Sequence, residues 1–166
     1  TARAMAAWVR PALAACEHIA PGDERLLEAA ALLALAAQSI EPNLRAREML
    51  GWALAKRWIG IDAAGRAMTA AALVGNQGDR ALPAPLDRLA PPRRLGDALA
   101  WGLALRLCRR LAGGVVPAKG QASLGIGGGR LTLSISPHWR ALSGEVVEKD
   151  LRLLAAQLAL NSAIAP

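Results

Sequence analysis

Phenylalanine and tyrosine are absent from this sequence of 166 residues, and cysteine and histidine occur only twice each. With five tryptophans as its only aromatic residues, the chain offers no ladder of rings on which nucleic-acid bases could stack. Cys16 and Cys108 are far apart, whereas a disulfide scaffold or a cysteine metal cluster needs more cysteines or closer spacing. We therefore expect two buried free thiols and a reducing, cytoplasmic compartment.

Long uncharged apolar runs are also absent. A membrane-spanning helix needs about 18 consecutive apolar residues, so we expect no membrane partner. The chain starts at Thr1 rather than methionine, and its first residues lack the charged head, apolar run and cleavage site of a signal peptide. We expect it to be a piece of a longer protein whose upstream part is missing.

Alanine and leucine dominate the apolar residues, which make up 54% of the chain. Both are strong helix formers, and β-branched residues are sparse before the last third, so the composition predicts a mainly helical fold. The net charge is +7, and all but three of the 20 basic residues are arginine. This charge favours a polyanionic partner, although a high-GC genome would also enrich arginine and alanine.

Apolar spacing and helix-breaking residues divide the first two thirds into predicted helices. The fourth of these helices is capped by Asp62, and the last ends at Gly113-Gly114. The segment 75–92 is a predicted loop with a short turn around Leu86 to Leu89. The predicted helices span residues 2–18, 23–38 (capped by Asp23), 45–59, 62–74 and 94–112.

The last third has a different pattern. Residues 122–126 and 130–135 alternate in polarity around Gly127 to Gly129, which predicts a β-hairpin, and a helix follows from Gly144 to about Leu160. A hairpin alone is marginally stable, so it must pack on the helices or extend a neighbouring sheet. The predicted organisation is a helical domain, 1–114, with 115–166 packed on it, or one compact unit of both.

We find no pattern typical of a catalytic or metal site. There is no Gly-x-Ser-x-Gly motif and no Cys–His pairing, and neither His18 nor His138 has a second ligand at metal-binding spacing. The glycine run from Gly125 to Gly129 precedes a strand rather than a helix, which favours a hairpin turn over a phosphate loop.

Basic residues form the one candidate binding surface. Arg106, Arg109 and Arg110 have the spacing i, i+3 and i+4 and should share one side of the longest helix, while Arg93 and Arg94 lie at its beginning. We predict that these five arginines bind a polyanion. The alternative is a solvated or salt-bridged helix face.

Several segments together resemble the C-terminal region of the exopolyphosphatase and guanosine pentaphosphate phosphatase (Ppx/GppA) family, in particular its alphaproteobacterial members. The similarity covers nearly the whole chain, with its segments in the family's order. They are Leu27 to Ala37 (LEAAALLALAA), Glu41 to Arg45 (EPNLR), Gly60 to Arg66 (GIDAAGR), Gly102 to Gly114, Arg130 to Ile135 and Leu142 to Ala156.

The resemblance implies a helical domain similar to HD-type phosphohydrolases, followed by a small α/β part. In this family, catalysis belongs to upstream domains that use a divalent cation such as Mg²⁺. This chain would then be an accessory domain that contacts those domains and assists polyphosphate binding, dimerisation or both. Leu35, Glu41 and Ala55 stand where relatives carry acidic or histidine residues, so we expect a degenerate HD-like bundle without a metal site.

Two other functions remain open at this stage. The first is a stand-alone basic helical module that binds nucleic acid or an acidic protein, although no helix combines arginine, asparagine and glutamine as recognition helices do. The second is an independent HD-type phosphohydrolase, against which the replaced ligands argue.

Overall fold

The computed structural model describes residues 1–111, 113, 116–118 and 120–166. Over these residues the fold is mainly helical with a small sheet, as the composition predicts. The helices are α1 (Ala2–Ala14), α2 (Asp23–Ala36), α3 (Pro42–Ala55), α4 (Ala63–Gln77), α5 (Pro92–Leu111) and α6 (Glu145–Gln157), and the strands are β1 (Ala122–Gly127), β2 (Arg130–Ile135) and β3 (Asn161–Ala165).

The centre of the fold is a direct backbone contact between α4 and α5. A Cβ atom on Gly102 would lie 1.8 Å from the carbonyl oxygen of Ala72, and one on Gly75 would lie 2.4 Å from the carbonyl oxygen of Leu99. Any side chain would therefore push the two helices apart. Because the helices touch through glycine, both bury nearly all of their length, including the large side chain of Trp101.

The other helices surround this pair. Helices α2 and α3 pack on α4, and α1 packs on both α2 and α5. The C-terminal half of α2 is almost wholly apolar, which predicts burial on all sides, but this is wrong for Leu32, whose exposed fraction is 58%. Helix α2 packs mainly on α1 and α4, and among the described residues Leu32 and the half-buried Leu35 are left partly or largely uncovered.

The predicted hairpin is present and belongs to a three-stranded sheet of order β1-β2-β3. Strands β1 and β2 are antiparallel, and Gly128 and Gly129 supply the positive φ angles of the turn. The prediction of a helix to about Leu160 is wrong. Helix α6 ends at Gln157, and β3 then pairs parallel to β2. The five residues of β3 are too few to show a periodicity, so their pairing with β2 decides their conformation.

The sheet packs on the helical bundle at two places. On one side, the indole Nε1 of Trp8 in α1 donates a hydrogen bond of 2.9 Å to the carbonyl oxygen of Ala122 in β1. On the other side, α6 packs on α5 and covers β2 and β3. Leu131, Leu133 and Ile135 of β2 are buried in the same core as the helices. The hairpin is therefore stabilised by the bundle and by a third strand together.

The helix ends differ from the predicted ones for local reasons. Helix α3 starts at Pro42 because proline suits the first turn, and α4 continues past Gly75 until Gly78 adopts a left-handed conformation. Asp62 caps α4 as predicted, its carboxylate accepting a bond from the Gly65 N–H at 2.7 Å. Gly22, not Asp23, is the N-cap of α2.

Other predicted ends also moved. Helix α1 ends at Ala14, four residues early, and α3 ends at Ala55 rather than Ile59. The predicted turn near Leu86 is a 3-10 helix over Ala84–Arg88, and a second one covers Pro137–Leu142. The longest helix was predicted to end at Ala112 and Gly113-Gly114. Of these residues, Ala112 and Gly114 lie outside the described part of the chain.

Substituting the glycine at the helix contact should destabilise the fold strongly. We expect Gly102→Ala to lower the free energy of unfolding by about 3 kcal/mol or more, since the new methyl group meets rigid backbone. Gly51→Ala is the matched control, because a Cβ there has no neighbour within 4 Å and lies inside α3. It should stabilise the chain by about 0.5–1 kcal/mol. Urea unfolding would measure both, and similar values for the two variants would contradict the proposed contact.

Candidate anion-binding site

The five candidate arginines fall into two separate groups. Arg93 and Arg94 lie in the first turn of α5, and Arg106, Arg109 and Arg110 lie near its end. Arg94 and Arg106 are twelve residues apart, which is about 18 Å along a helix. The chain therefore brings the last three arginines together, as their spacing predicts, and leaves the other two at the opposite end of α5.

Arg94 belongs to a buried ion pair. Its guanidinium donates two hydrogen bonds, of 2.7 and 2.8 Å, to the two carboxylate oxygens of Asp23. The same guanidinium also donates to the backbone carbonyl of His18. Only 2% of the Asp23 side chain is exposed, so the paired charges are shielded from water. Arg94 thus links α5 to the start of α2, while Arg93 beside it is exposed.

Arg106 and Arg110 share a second buried carboxylate, that of Asp150 in α6. The Nε atom of Arg106 donates to Asp150 Oδ1 at 2.9 Å, and the Nε atom of Arg110 lies 3.2 Å from Oδ2. Arg106 also donates a 2.7 Å bond to the carbonyl oxygen of Gln77, the last residue of α4. A cation there complements the helix dipole. This one arginine therefore joins α4, α5 and α6.

Asp150 is the residue of this cluster that the sequence analysis missed. It lies three residues after Val147 and one before Leu151, both of which are buried. This spacing places a carboxylate on the apolar side of a helix, where a charge requires a partner. The pattern was visible in the sequence, but only the packing of α6 on α5 shows which arginines provide the pairing.

Within the described part of the chain, no carboxylate pairs with Arg109 alone. Its Nη1 atom donates to the side-chain oxygen of Gln38 at 3.3 Å, and its buried Nε atom has no hydrogen-bond partner among the described residues. Burial lowers the pKa of Arg109, and the nearby charges of Arg106, Arg110 and Arg45 lower it further, whereas Asp150 opposes them. The cluster therefore has more positive than negative charge, and this excess is centred on a half-buried guanidinium.

An open groove of about 850 Å³ lies beside Arg109 and Arg110. The N-terminus of α6 forms part of its wall, where the N–H groups of Glu145 and Val146 precede the first hydrogen bond of the helix. Such N–H groups and the helix dipole favour anions. The Glu145 carboxylate is the one acidic side chain in the wall. The lining residues are Leu35, Gln38, Arg109, Arg110, Gly113, Leu142, Gly144, Glu145, Val146 and Val147.

Among the described residues, the lining of the groove contains no serine, cysteine or histidine. Elsewhere, His18 Nδ1 lies 3.4 Å from Asp97 Oδ2, close to Cys16, but the thiol is buried. Burial, with a smaller contribution from Asp97, raises the pKa of Cys16 to about 12, so this thiol stays protonated and is not a nucleophile at neutral pH.

The resemblance singles out Leu35, Glu41 and Ala55 as positions of possible metal ligands in the family. Leu35 lines the groove, and Glu41 and Ala55 are exposed at the ends of α3. Among the residues that the structure describes, no group of three or more histidine, cysteine, aspartate or glutamate side chains could hold a metal ion.

In comparisons with known proteins, the chain matches no family model and no curated protein. The resemblance to the Ppx/GppA phosphatases therefore stays a prediction from the sequence segments. Within the described part of the chain, no helix is both long and apolar enough to cross a lipid bilayer.

Removing the shared carboxylate should destabilise the protein. Asp150→Ala would leave the guanidinium of Arg106, 16% exposed, without its anion, and we expect a loss of about 3–5 kcal/mol in the free energy of unfolding. Glu148→Ala, in the exposed pair with Arg152 one turn away, should change it by less than about 0.5 kcal/mol. Chemical denaturation would measure both, and a small effect of Asp150→Ala would rule out a structural ion pair.

Stability should also fall at high pH through the two thiols. Burial raises the pKa of Cys16 and of Cys108 from 9.0 to about 12. Between pH 9 and 12 the thiols ionise in the unfolded chain but not in the folded one, so the free energy of unfolding falls as pH rises. The expected slope is up to about 1.4 kcal/mol per pH unit for each thiol. Unfolding curves at pH 8 to 10 would show it, and the double variant Cys16→Ala and Cys108→Ala should have a shallower slope.

Proposed function

We propose that this chain is the non-catalytic C-terminal domain of an exopolyphosphatase-like phosphatase, and that its groove beside Arg109 binds polyphosphate. In this proposal the hydrolytic site and its divalent cation belong to upstream domains of the same polypeptide, in the cytoplasm. The order of the family-like segments along the chain supports the parent class. The charge and shape of the groove support the ligand.

The state of Arg109 is the observation that carries the proposal. Arg94 and Arg106 are paired with buried carboxylates, and Arg110 shares the carboxylate of Asp150. Among the described residues, Arg109 has the neutral side chain of Gln38 as its one hydrogen-bond partner, and the other arginines of the cluster oppose its charge. A bound anion beside this guanidinium would relieve the repulsion. The protein thus keeps a guanidinium in a place where an anion would stabilise it.

Phosphate fits the donors around this groove. A guanidinium donates two parallel hydrogen bonds to a phosphate group, and Arg110, 37% exposed, adds a second donor fork beside Arg109. The first turn of α6, which also lines the groove, contributes backbone N–H groups. The groove is open to solvent, so in this proposal it holds part of a phosphate chain while hydrolysis takes place in the upstream domains.

Binding of inorganic polyphosphate to the purified chain tests this proposal. We expect Arg109→Ala to weaken binding about tenfold, as the loss of charge-assisted hydrogen bonds would do. Arg93→Ala is the control, because it removes an equal charge from an exposed position at the other end of α5. Affinity should also fall steeply as salt concentration rises.

Two outcomes would contradict the proposal. Equal losses for Arg109→Ala and Arg93→Ala would mean diffuse attraction by the net charge rather than a groove. Single-stranded DNA that binds as tightly as polyphosphate, with the same dependence on Arg109, would favour the stand-alone nucleic-acid module. Circular dichroism of each variant should show that it remains folded.

A further inference from the structure

Among the described residues, the most exposed large apolar side chains lie in one region. They are those of Ile59, Leu32, Val146 and Leu142, with exposed fractions from 91% down to 48%. Ile59 borders a second open groove, of about 730 Å³, at the start of α2, and Val146 and Leu142 line the groove beside Arg109. Single exposed apolar side chains are common on any protein, whereas a group of them marks an interaction surface.

A row of apolar side chains on α2 joins the two grooves. Leu26 and Ala29 line the groove at the start of α2, and Leu35 lines the groove beside Arg109. Leu32 lies between them along the helix. Because these four residues stand three apart, they form one oblique ridge on the helix surface. We call Leu26, Ala29, Leu32 and Leu35 the α2 ridge, which extends over about 14 Å of the helix axis.

The ridge gives a reason for the apolar composition of α2. A helix that is apolar on all sides is ordinarily covered on all sides. Helix α2 packs mainly on α1 and α4, and Leu32 at the middle of the ridge stays largely exposed. Helix α2 therefore has the composition of a buried helix and an open apolar side, which suits an element supplied by a partner.

Basic side chains lie at both ends of the ridge. Arg25 lines the groove at one end, and Arg109 and Arg110 line the groove at the other end. The two glutamates within α2, Glu24 and Glu28, point to α1, where they pair with arginines. The ridge is thus an apolar row between two groups of positive charge.

Carboxylates in the grooves do not cancel this charge. In the groove at the start of α2, Asp23 is paired with an arginine of α5, and Asp62 caps α4. Arg25 is exposed, as are Lys56 and Arg57 in the loop after α3. In the other groove, one glutamate stands against two arginines. Both ends therefore keep an excess of positive charge.

We propose that the α2 ridge and its two grooves bind an amphipathic helix of a partner protein that carries acidic residues near both of its ends. Apolar side chains three and four residues apart on that helix pack on the ridge and enter the grooves. Arg109 contacts Gln38, which lies 13 residues after Arg25, or about 20 Å along a helix. The partner helix therefore has about four turns. This inference does not rest on the proposed function, although both use the groove beside Arg109.

A protein helix suits this surface better than other occupants do. The two grooves, of about 850 and 730 Å³, are concave and accept separate side chains, whereas a membrane presents a flat layer of headgroups. A second copy of the chain would bring the same basic ends, which repel each other. Polyphosphate has no apolar groups with which to cover the ridge.

A designed peptide tests the proposal. The probe is a helical peptide of about 18 residues, four turns with short ends, with leucines at intervals of three and four residues on one side and glutamates near both ends. We expect it to bind the purified chain in fluorescence anisotropy, with an affinity that falls as salt concentration rises. One control peptide has serines in place of the leucines, and another has lysines in place of the glutamates. Both should bind at least about tenfold more weakly.

Substitutions in the chain locate the bound peptide. Leu32→Ser removes the middle of the ridge, and we expect it to weaken peptide binding at least about tenfold. Leu89→Ser is the matched control, because Leu89 is also exposed but follows the 3-10 helix that packs on α4 and α5. It should leave the affinity unchanged. Polyphosphate binding should be the same with Leu32→Ser as without it, so the failure of this inference and the failure of the proposed function are distinguishable.

Other results would overturn the proposal. Equal binding of the glutamate and lysine peptides would mean apolar adhesion without recognition of charge. Equal losses for Leu32→Ser and Leu89→Ser, in variants that circular dichroism shows to be folded, would place the peptide elsewhere on the chain. Anionic lipid vesicles that bind the chain more tightly than the peptide does, or self-association that Leu32→Ser abolishes, would assign the ridge to a membrane or to a second copy.

Discussion

The contact of α4 with α5 through Gly75 and Gly102 is the constraint on which the rest of the structure depends. Because no side chain separates the two backbones, the helices approach closely and exclude water along most of their length. Helix α5 therefore lies at the centre of the fold, and its arginines lie near its two ends. The other helices and the sheet pack around this pair, and the arginines of α5 meet their partners at its two ends.

Two buried carboxylates pair with three of the arginines of α5. Asp23 forms an ion pair with Arg94, and Asp150 forms ion pairs with Arg106 and Arg110. Each pair connects α5 to an element distant in sequence, so these charges specify how the elements pack as well as contributing to solubility. The positive charge of the chain is therefore partly structural. The remainder near the end of α5 is concentrated at Arg109, where burial and like charges make an anion favourable.

Of the three positions that the resemblance singles out, Leu35, Glu41 and Ala55, Leu35 lies at the groove and the other two lie at the ends of α3. Leu35 stands where relatives of the proposed family carry acidic residues, and it lines the groove together with Arg109. In the proposed function, the basic and apolar side chains of this groove hold an anionic chain.

Local signals in the sequence determined the helical class, the hairpin and most helix positions. Alanine and leucine favour helices at any point of the chain. Asp62 caps the helix that it precedes, and Gly128 and Gly129 form the hairpin turn through their own positive φ angles. Tertiary structure alone decided β3, whose five residues become a strand by pairing with β2. The tertiary structure also decided which arginines of α5 pair with a buried carboxylate. Whether an arginine is paired depends on which residue, distant in sequence, packs beside it. The spacing of residues along one helix predicts which side of the helix they face. It does not predict which residue, distant in sequence, they pair with.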